Sequence, residues 1–211
     1  MEILIRLGWY ALIIAMAGDI VISLILPAFY RGYSIPKMSI SALGNPKSPV
    51  RIPFNIWMLI EGILFLVGIP AFYRLFSPVS KGLTITAVVF IAAFAVGACI
   101  LTCFFSVNES RDEVTTASKI HGAGSVIGFM LFLFLPLLIA ILEFKNKESM
   151  SAWISIACFV LAIVTFALFV MSDKDEFKDT LIANEGLWQR LDLLFMYIPL
   201  GIAAIKCIMG S

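Results

Sequence analysis

The chain has 211 residues, of which 61% are hydrophobic and 14% charged, and its formal net charge is +1. Ordinary soluble domains carry about 25% charged residues, so this composition predicts an integral membrane protein. The near-neutral charge gives no reason to expect a nucleic-acid partner, and no run of Lys and Arg suggests a polybasic lipid-binding tail.

Six apolar runs are long enough to cross a bilayer, which needs about 20 residues per helix. They cover residues 7–30, 54–76, 83–107, 120–142, 151–171 and 187–209. The first run contains Ala15-Met16-Ala17, which a signal peptidase would accept, but it continues to residue 30, so we expect an uncleaved helix. The runs leave no room for a soluble domain. The sequence therefore predicts an all-α integral membrane protein, with 1–211 forming a single transmembrane domain and a six-helix bundle.

An even number of membrane-spanning helices places both termini on one side, which we call the near side. The far side then holds the loops 31–53, 108–119 and 172–186, the last two of which are rich in acids. Near-side basic residues lie in short segments close to the helix ends, namely Arg6, Arg74, Lys81, Lys145, Lys147 and Lys206. By the positive-inside rule, we expect cytoplasmic termini in the cytoplasmic membrane of the cell, although loop 31–53 carries four basic residues that oppose this orientation.

The first far-side loop, 31–53, is the longest connection, and its four prolines prevent one continuous helix. Within it, the segment KMSISALG (37–44) predicts a short helix at the membrane interface that ends at Gly44 and covers whatever lies beneath. A solvated linker is the alternative.

Three acids lie inside the apolar runs: Asp19, Glu61 and Asp192. Each carboxylate costs about 2.5–3.5 kcal/mol at mid-bilayer, so these groups must be paired, protonated or hydrated. With a rise of about 1.5 Å per residue, all three fall at the midplane or in the far-side half. The near-side half is almost wholly apolar by comparison.

The beginning of the sixth run adds further polar groups. Glu185, Gln189 and Asp192 follow one another at i, i+4 and i+7, which places them on one helix face. Arg190 is turned about 100° away from Gln189. We expect its guanidinium either to pair with Asp192 or to reach a lipid phosphate.

His121, the only histidine, opens the fourth run on the same far side. Gly124 and Gly128 follow it on one face and would let another helix approach closely. The ionisable groups therefore predict a polar pocket that opens to the far side. The alternative is a set of ion pairs that only hold the helices together.

Four short motifs occur in order along the chain: Gly18-Asp19, SISALGNP (39–46), His121-Gly122 and EGLWQRL (185–191). In these motifs the chain resembles a bacterial and archaeal membrane family of unknown function, domain of unknown function 998. The resemblance implies a six-helix membrane fold with no established activity. By this resemblance, six residues of the chain match the pattern of the family, namely Asp19, Ser41, Gly44, His121, Gly186 and Arg190.

The residue inventory excludes several chemistries. A single histidine rules out a bis-histidine haem and an HExxH metalloprotease. A metal held by His121 and one of the acids is an alternative, but we expect neither a metal nor another cofactor. The four cysteines all lie in apolar runs, where we expect them to act as small core residues.

We hypothesise that the pocket binds a membrane lipid or another amphiphile from the outer leaflet, with Arg190 and His121 contacting an anionic headgroup. The predicted ligand-binding residues are Asp19, Ser41, Glu61, His121, Glu185, Gln189, Arg190 and Asp192. A small proton- or ion-coupled transporter is one alternative, and a structural or partner-binding subunit is another. The sequence assigns no catalytic residue, leaves open whether a reaction occurs, and is compatible with a homo-oligomer.

Overall fold

The structure, a computed structural model, describes residues 2–108 and 114–210. Within these ranges there is no β-strand, and six helices are long and apolar enough to cross a membrane. In chain order these first to sixth spans are Glu2–Phe29, Arg51–Phe76, Lys81–Phe104, Thr116–Lys145, Ser149–Met171 and Glu185–Met209. The predicted all-α, membrane-embedded six-helix fold is confirmed. Part of the predicted acidic loop 108–119, residues 109–113, lies outside the described residues.

Most spans extend a few residues past the apolar runs that predicted them. The first begins at Glu2 and not at residue 7, and the second begins at Arg51 and not at residue 54. A helix continues past its apolar run until a cap or a turn ends it. Charged residues are tolerated in these last turns, since their side chains reach the aqueous interface. The fourth span starts at such a cap, where the Thr115 side chain accepts a hydrogen bond from the Ser118 backbone N–H at 3.1 Å.

Two of the spans are irregular. The third changes from α-helix to π-helix over Ala95–Ile100. The fourth is divided at Leu133 and Phe134 into the helices Thr116–Phe132 and Leu135–Lys145, just before Pro136. Proline has no N–H to donate and its ring collides with the preceding turn, which accounts for this break.

The π-helical segment packs directly on the fourth span through glycines. A Cβ atom at Gly97 would lie 2.4 Å from the carbonyl oxygen of Gly124, and one at Gly128 would lie 3.0 Å from the backbone nitrogen of Ala98. The close approach predicted for Gly124 and Gly128 is therefore confirmed. It is made within one chain, between the third and fourth spans.

An aromatic cluster closes the middle of the bundle. Phe65, Phe94, Phe132 and Tyr197 come from four different spans and are almost fully buried. The rings of Phe94 and Phe132 stack with centroids 4.3 Å apart, and Phe65 and Tyr197 lie 6.0 Å apart. Contacts of this kind leave little room for water to pass toward the near side.

The loop after the first span folds back over the far-side end of the bundle. Its 3-10 helix, Ile40–Gly44, ends at the predicted Gly44 but begins three residues later than predicted. It buries Ile40 and Leu43, so the loop covers the bundle and is not a solvated linker. The loop lies directly against the start of the sixth span, where a Cβ atom at Gly186 would be 2.1 Å from the carbonyl oxygen of Met38. Only glycine fits at that position.

Arg190 joins this loop to two spans. One terminal nitrogen, Nη1, donates to the carbonyl oxygens of Gly186 at 2.8 Å and Ile35 at 3.0 Å. The other, Nη2, donates to the carbonyl oxygen of Ser23 and to the Tyr33 hydroxyl, both at 3.0 Å. The planar guanidinium supplies these donors in fixed directions, which suits it to satisfying carbonyls that would otherwise be buried without partners.

Two further side chains hold the loop in place. The Tyr33 hydroxyl donates to the carbonyl oxygens of Met38 and Ser39 at 3.0 and 2.8 Å. Burial raises the pKa of Tyr33 above its usual range, although the nearby Arg190 acts in the opposite direction. The side-chain oxygen of Gln189 accepts a hydrogen bond from the Ile40 backbone N–H at 2.7 Å. The loop is thus a fixed roof rather than a linker.

We expect Arg190→Lys to destabilise the protein by about 2–4 kcal/mol, because an ammonium cannot reach all the carbonyls that the guanidinium satisfies. Denaturant titration of the detergent-solubilised protein measures the loss, and amide hydrogen exchange should rise in the roof loop. Arg74→Lys is the control, since Arg74 is exposed at the other end of the bundle. Equal stability of the two variants would contradict this account of Arg190.

We expect Gly124→Ala to cost about 1–3 kcal/mol, because the new Cβ would lie 2.8 Å from the Gly97 carbonyl oxygen and push the spans apart. Gly122→Ala, two residues away, is the matched control, because no atom of the described residues lies within 4 Å of a Cβ at this position. Alanine there should stabilise the helix by up to about 1 kcal/mol. Thermal unfolding of both variants measures the difference, and opposite signs are the expected result.

Candidate functional site

A cavity of about 240 Å³ lies beneath the roof, in the far-side half of the bundle. All six spans and the roof contribute to its wall. Most of the wall is apolar, and phenylalanines form much of it, namely Phe54, Phe94, Phe129, Phe166 and Phe169. The cavity therefore suits an apolar group more than a column of water.

Five of the eight predicted ligand-binding residues line this cavity: Asp19, Ser41, Glu61, His121 and Gln189. They come from the first, second, fourth and sixth spans and from the roof. Polar side chains from several helices therefore meet at one cavity, as predicted, for these five residues. Whether these residues bind a ligand stays a prediction.

The two acids meet at the deep end of the cavity. The Tyr197 hydroxyl lies 2.9 Å from Oδ2 of Asp19 and 3.3 Å from Oε1 of Glu61. A hydroxyl has one hydrogen to donate, so the two carboxyl groups share it. The ring of Tyr197 belongs to the aromatic cluster, which places the acids directly on the layer that closes the middle of the bundle.

His121 lies closer to the far side. Its Nδ1 is 2.8 Å from the carbonyl oxygen of Phe105, at the end of the third span. Because a carbonyl oxygen only accepts, Nδ1 carries a hydrogen, and Nε2 of a neutral ring is then an acceptor. The residue therefore links two spans and can also offer one acceptor to the cavity that it lines.

The remaining three predicted residues lie elsewhere. Arg190 does not line the cavity, and its hydrogen bonds to the roof replace the expected pairing with Asp192 or lipid phosphate, so that expectation was wrong. Asp192 is fully buried outside the cavity wall, and in the described part of the chain neither of its carboxylate oxygens has a hydrogen-bond partner. Glu185 lies at the far-side surface.

Glu185 belongs to a second, shallower depression at the far-side end, which we call the vestibule. Its polar rim includes Lys37, Ser118, Asp173 and Glu185. Ser41, Phe169 and Val170 line both the vestibule and the inner cavity, so the two spaces adjoin. The vestibule gives the cavity a polar edge at the far-side end of the bundle.

The inner cavity also reaches the side of the bundle. Near-side halves of the fourth and fifth spans pack together, and the rings of Phe134 and Phe159 lie 5.8 Å apart where this packing ends. Beyond the break at Leu133, the helix Thr116–Phe132 packs on the third span and has few contacts with the fifth. Val126 of the fourth span and Val170 of the fifth line the cavity and are 62% and 50% exposed, so the cavity opens to the outer surface between these two spans, and we call this opening the gap.

The sequence did not indicate the contribution of the fifth span. Phe166, Phe169 and Val170 line the cavity, but they lie in a wholly apolar run whose residues look alike whether they face lipid or the protein interior. Hydropathy cannot separate these two apolar environments.

The near-side half is less apolar than expected. Glu143, which follows the predicted end of the fourth run, is buried and accepts a hydrogen bond from the Ser155 hydroxyl at 2.9 Å. Lys206 lies 2.8 Å from Glu148 and also donates to Ser151. The first contact ties the fourth span to the fifth, and the second ties the fifth span to the sixth, both on the opposite side of the aromatic cluster from the cavity.

Comparison with known proteins gives a family and no activity. No curated protein and no solved structure matches the chain. A family model described as "Protein of unknown function (DUF998)" matches residues 13–206, which confirms the resemblance indicated by the sequence motifs. Since this match covers most of the chain, the protein belongs to that family, DUF998.

Proposed function

We propose that the protein binds a lipid or another amphiphile whose apolar part enters the cavity sideways from the membrane. The observation that carries this proposal is the gap between the fourth and fifth spans, which joins an apolar cavity to the lipid-facing surface. Val126 and Val170 line the cavity and are 62% and 50% exposed, so they form its rim. A hydrocarbon chain can pass such a rim without leaving an apolar medium.

The size of the cavity sets a limit on the ligand. Pockets for small organic molecules measure about 300–1,000 Å³, and this cavity, at about 240 Å³, is smaller. It accommodates a short amphiphile or part of one chain, and a larger lipid would leave the rest of its body in the bilayer. The adjoining vestibule offers polar contacts to whatever remains at the headgroup level.

The aromatic cluster favours a one-sided binding site over the transporter alternative. Transport requires alternating access to both sides of the membrane. The aromatic cluster lies between the acids of the cavity and the near side, and the polar groups around Glu143 lie beyond it. The structural or partner-binding alternative does not account for the open cavity.

We infer that the cavity belongs to the outer leaflet of the cytoplasmic membrane. The six spans place both described ends of the chain on the near side, where the short segments carry basic residues. Basic residues close to helix ends favour the cytoplasm. The roof, the vestibule and the cavity then lie on the outer side.

The proposal predicts that acyl chains reach buried residues of the cavity wall. Phe94 and Leu193 line the cavity but are only 2% and 3% exposed, so lipids around the bundle cannot contact them. We would reconstitute the protein in vesicles that contain a phospholipid with a photoreactive diazirine on its acyl chain, and map the labelled residues by mass spectrometry. Labelling at Phe94 and Leu193 is the expected result.

Val170→Trp should block the rim and reduce this buried labelling about tenfold, which corresponds to about 1.4 kcal/mol of binding free energy. Val164→Trp is the matched control, because Val164 lies in the same span, is also 50% exposed and does not line the cavity. Labelling confined to the outer surfaces of the spans, or equal buried labelling in the two variants, would contradict the proposal.

A further inference from the structure

The chemistry of the deep end indicates which polar group the ligand carries. Asp19 and Glu61 line the cavity together and share one phenolic hydrogen from Tyr197. Two carboxylates held this close repel each other unless a proton or a cation offsets their charge. A phosphate or a carboxylate at this position would add a third negative group.

Arg190 compensates only part of this negative charge. It lies close enough to Asp19 to interact with it electrostatically, but its terminal nitrogens are directed to the roof and to the first and sixth spans. Among the described residues, the groups that act electrostatically on Glu61 include Asp19 and no basic side chain. Glu61 is therefore the acid of the pair that has no nearby counter-charge.

Glu61 also has an unused oxygen. The side chain is 1% exposed, and its Oε1 faces the Tyr197 hydroxyl. The Cys99 thiol lies beside this carboxyl, yet Oε2 has no partner in hydrogen-bonding geometry among the described residues. A buried oxygen without a partner is costly, and a donor brought in by a ligand would remove that cost.

The surrounding wall suits a cation as well. Phe54 lies in the second span, as Glu61 does, and Phe94 lies in the third span. Both side chains line the cavity. The faces of aromatic rings attract a nearby cation, most strongly where water is excluded. The wall thus combines apolar area for a hydrocarbon body with aromatic rings in the same cavity as the two acids.

We propose that the cavity selects amphiphiles whose polar end is an ammonium group, held by the carboxyl groups of Asp19 and Glu61. This inference rests on the proposed function and names its ligand class. The ammonium donates to Oε2 of Glu61 and to Asp19, and the hydrocarbon part lies along the phenylalanines and extends to the gap between the fourth and fifth spans. The ammonium group takes the place of the anionic headgroup that was expected from the sequence.

Three probes of equal chain length test the inference: octylammonium, octanol and octanoate. Each is titrated into the detergent-solubilised protein by isothermal titration calorimetry, with the signal from protein-free micelles subtracted. We expect octylammonium to bind at least about tenfold more tightly than octanol, and octanoate to bind most weakly, because only the ammonium pairs with the acids.

Glu61→Gln keeps the shape of the side chain and removes its charge, so it should abolish the preference for octylammonium over octanol. Glu143→Gln is the matched control, because Glu143 is also a buried glutamate but lies on the near side, away from the cavity. It should leave the preference unchanged. Asp19→Asn provides a second test should the Glu61 variant fail to fold, and it should reduce the same preference.

The outcomes separate the two proposals. Equal binding of the three probes to the native protein, or a preference that survives both Glu61→Gln and Asp19→Asn, overturns the ammonium inference and leaves amphiphile binding in place. Failure of all three probes to bind overturns both the ammonium inference and amphiphile binding, because an octyl chain should enter the cavity whatever its polar end. Tighter binding of octanoate would restore the anionic headgroup and overturn the inference.

Discussion

The buried guanidinium of Arg190 is the interaction on which the far-side half of the protein depends. Backbone carbonyls at membrane depth have no water to bond, so partners must come from the protein itself. The Arg190 guanidinium donates hydrogen bonds to three carbonyl oxygens, those of Ser23 in the first span, Ile35 in the loop and Gly186 in its own helix. The loop thereby becomes a roof that covers the cavity on its far side.

The opening of that cavity follows from how the fourth span is held. Its far-side half is bound to the third span through Gly97 and Gly124, where the backbones touch. Its near-side half, after the break before Pro136, packs on the fifth span. The fourth span thus packs on the fifth mainly along its near-side half, which leaves the gap beside its far-side half. This geometry is the physical basis of the proposed entry of an amphiphile from the side.

The family motifs separate into two groups once their contacts are known. Gly44, Gly186 and Arg190 fit the roof against the bundle, since neither glycine has space for a Cβ atom and the arginine satisfies the loop carbonyls. Asp19 and His121 line the cavity, together with Ser41 of the roof. The first group holds the roof that covers the cavity, and the second lies on the cavity wall.

The sequence by itself determined the six spans, the covering segment and the close contact at Gly124 and Gly128, because hydropathy, proline positions and glycine spacing act locally along the chain. It also indicated that Asp19, Glu61 and His121 lie toward one side, since depth follows from helical rise. Only the tertiary structure decided that Arg190 bonds to the roof, that Asp192 lies outside the cavity and that Tyr197 joins the two acids. Rotation of each helix about its axis determines these partners, and it is set by packing among distant spans, which apolar sequences barely encode.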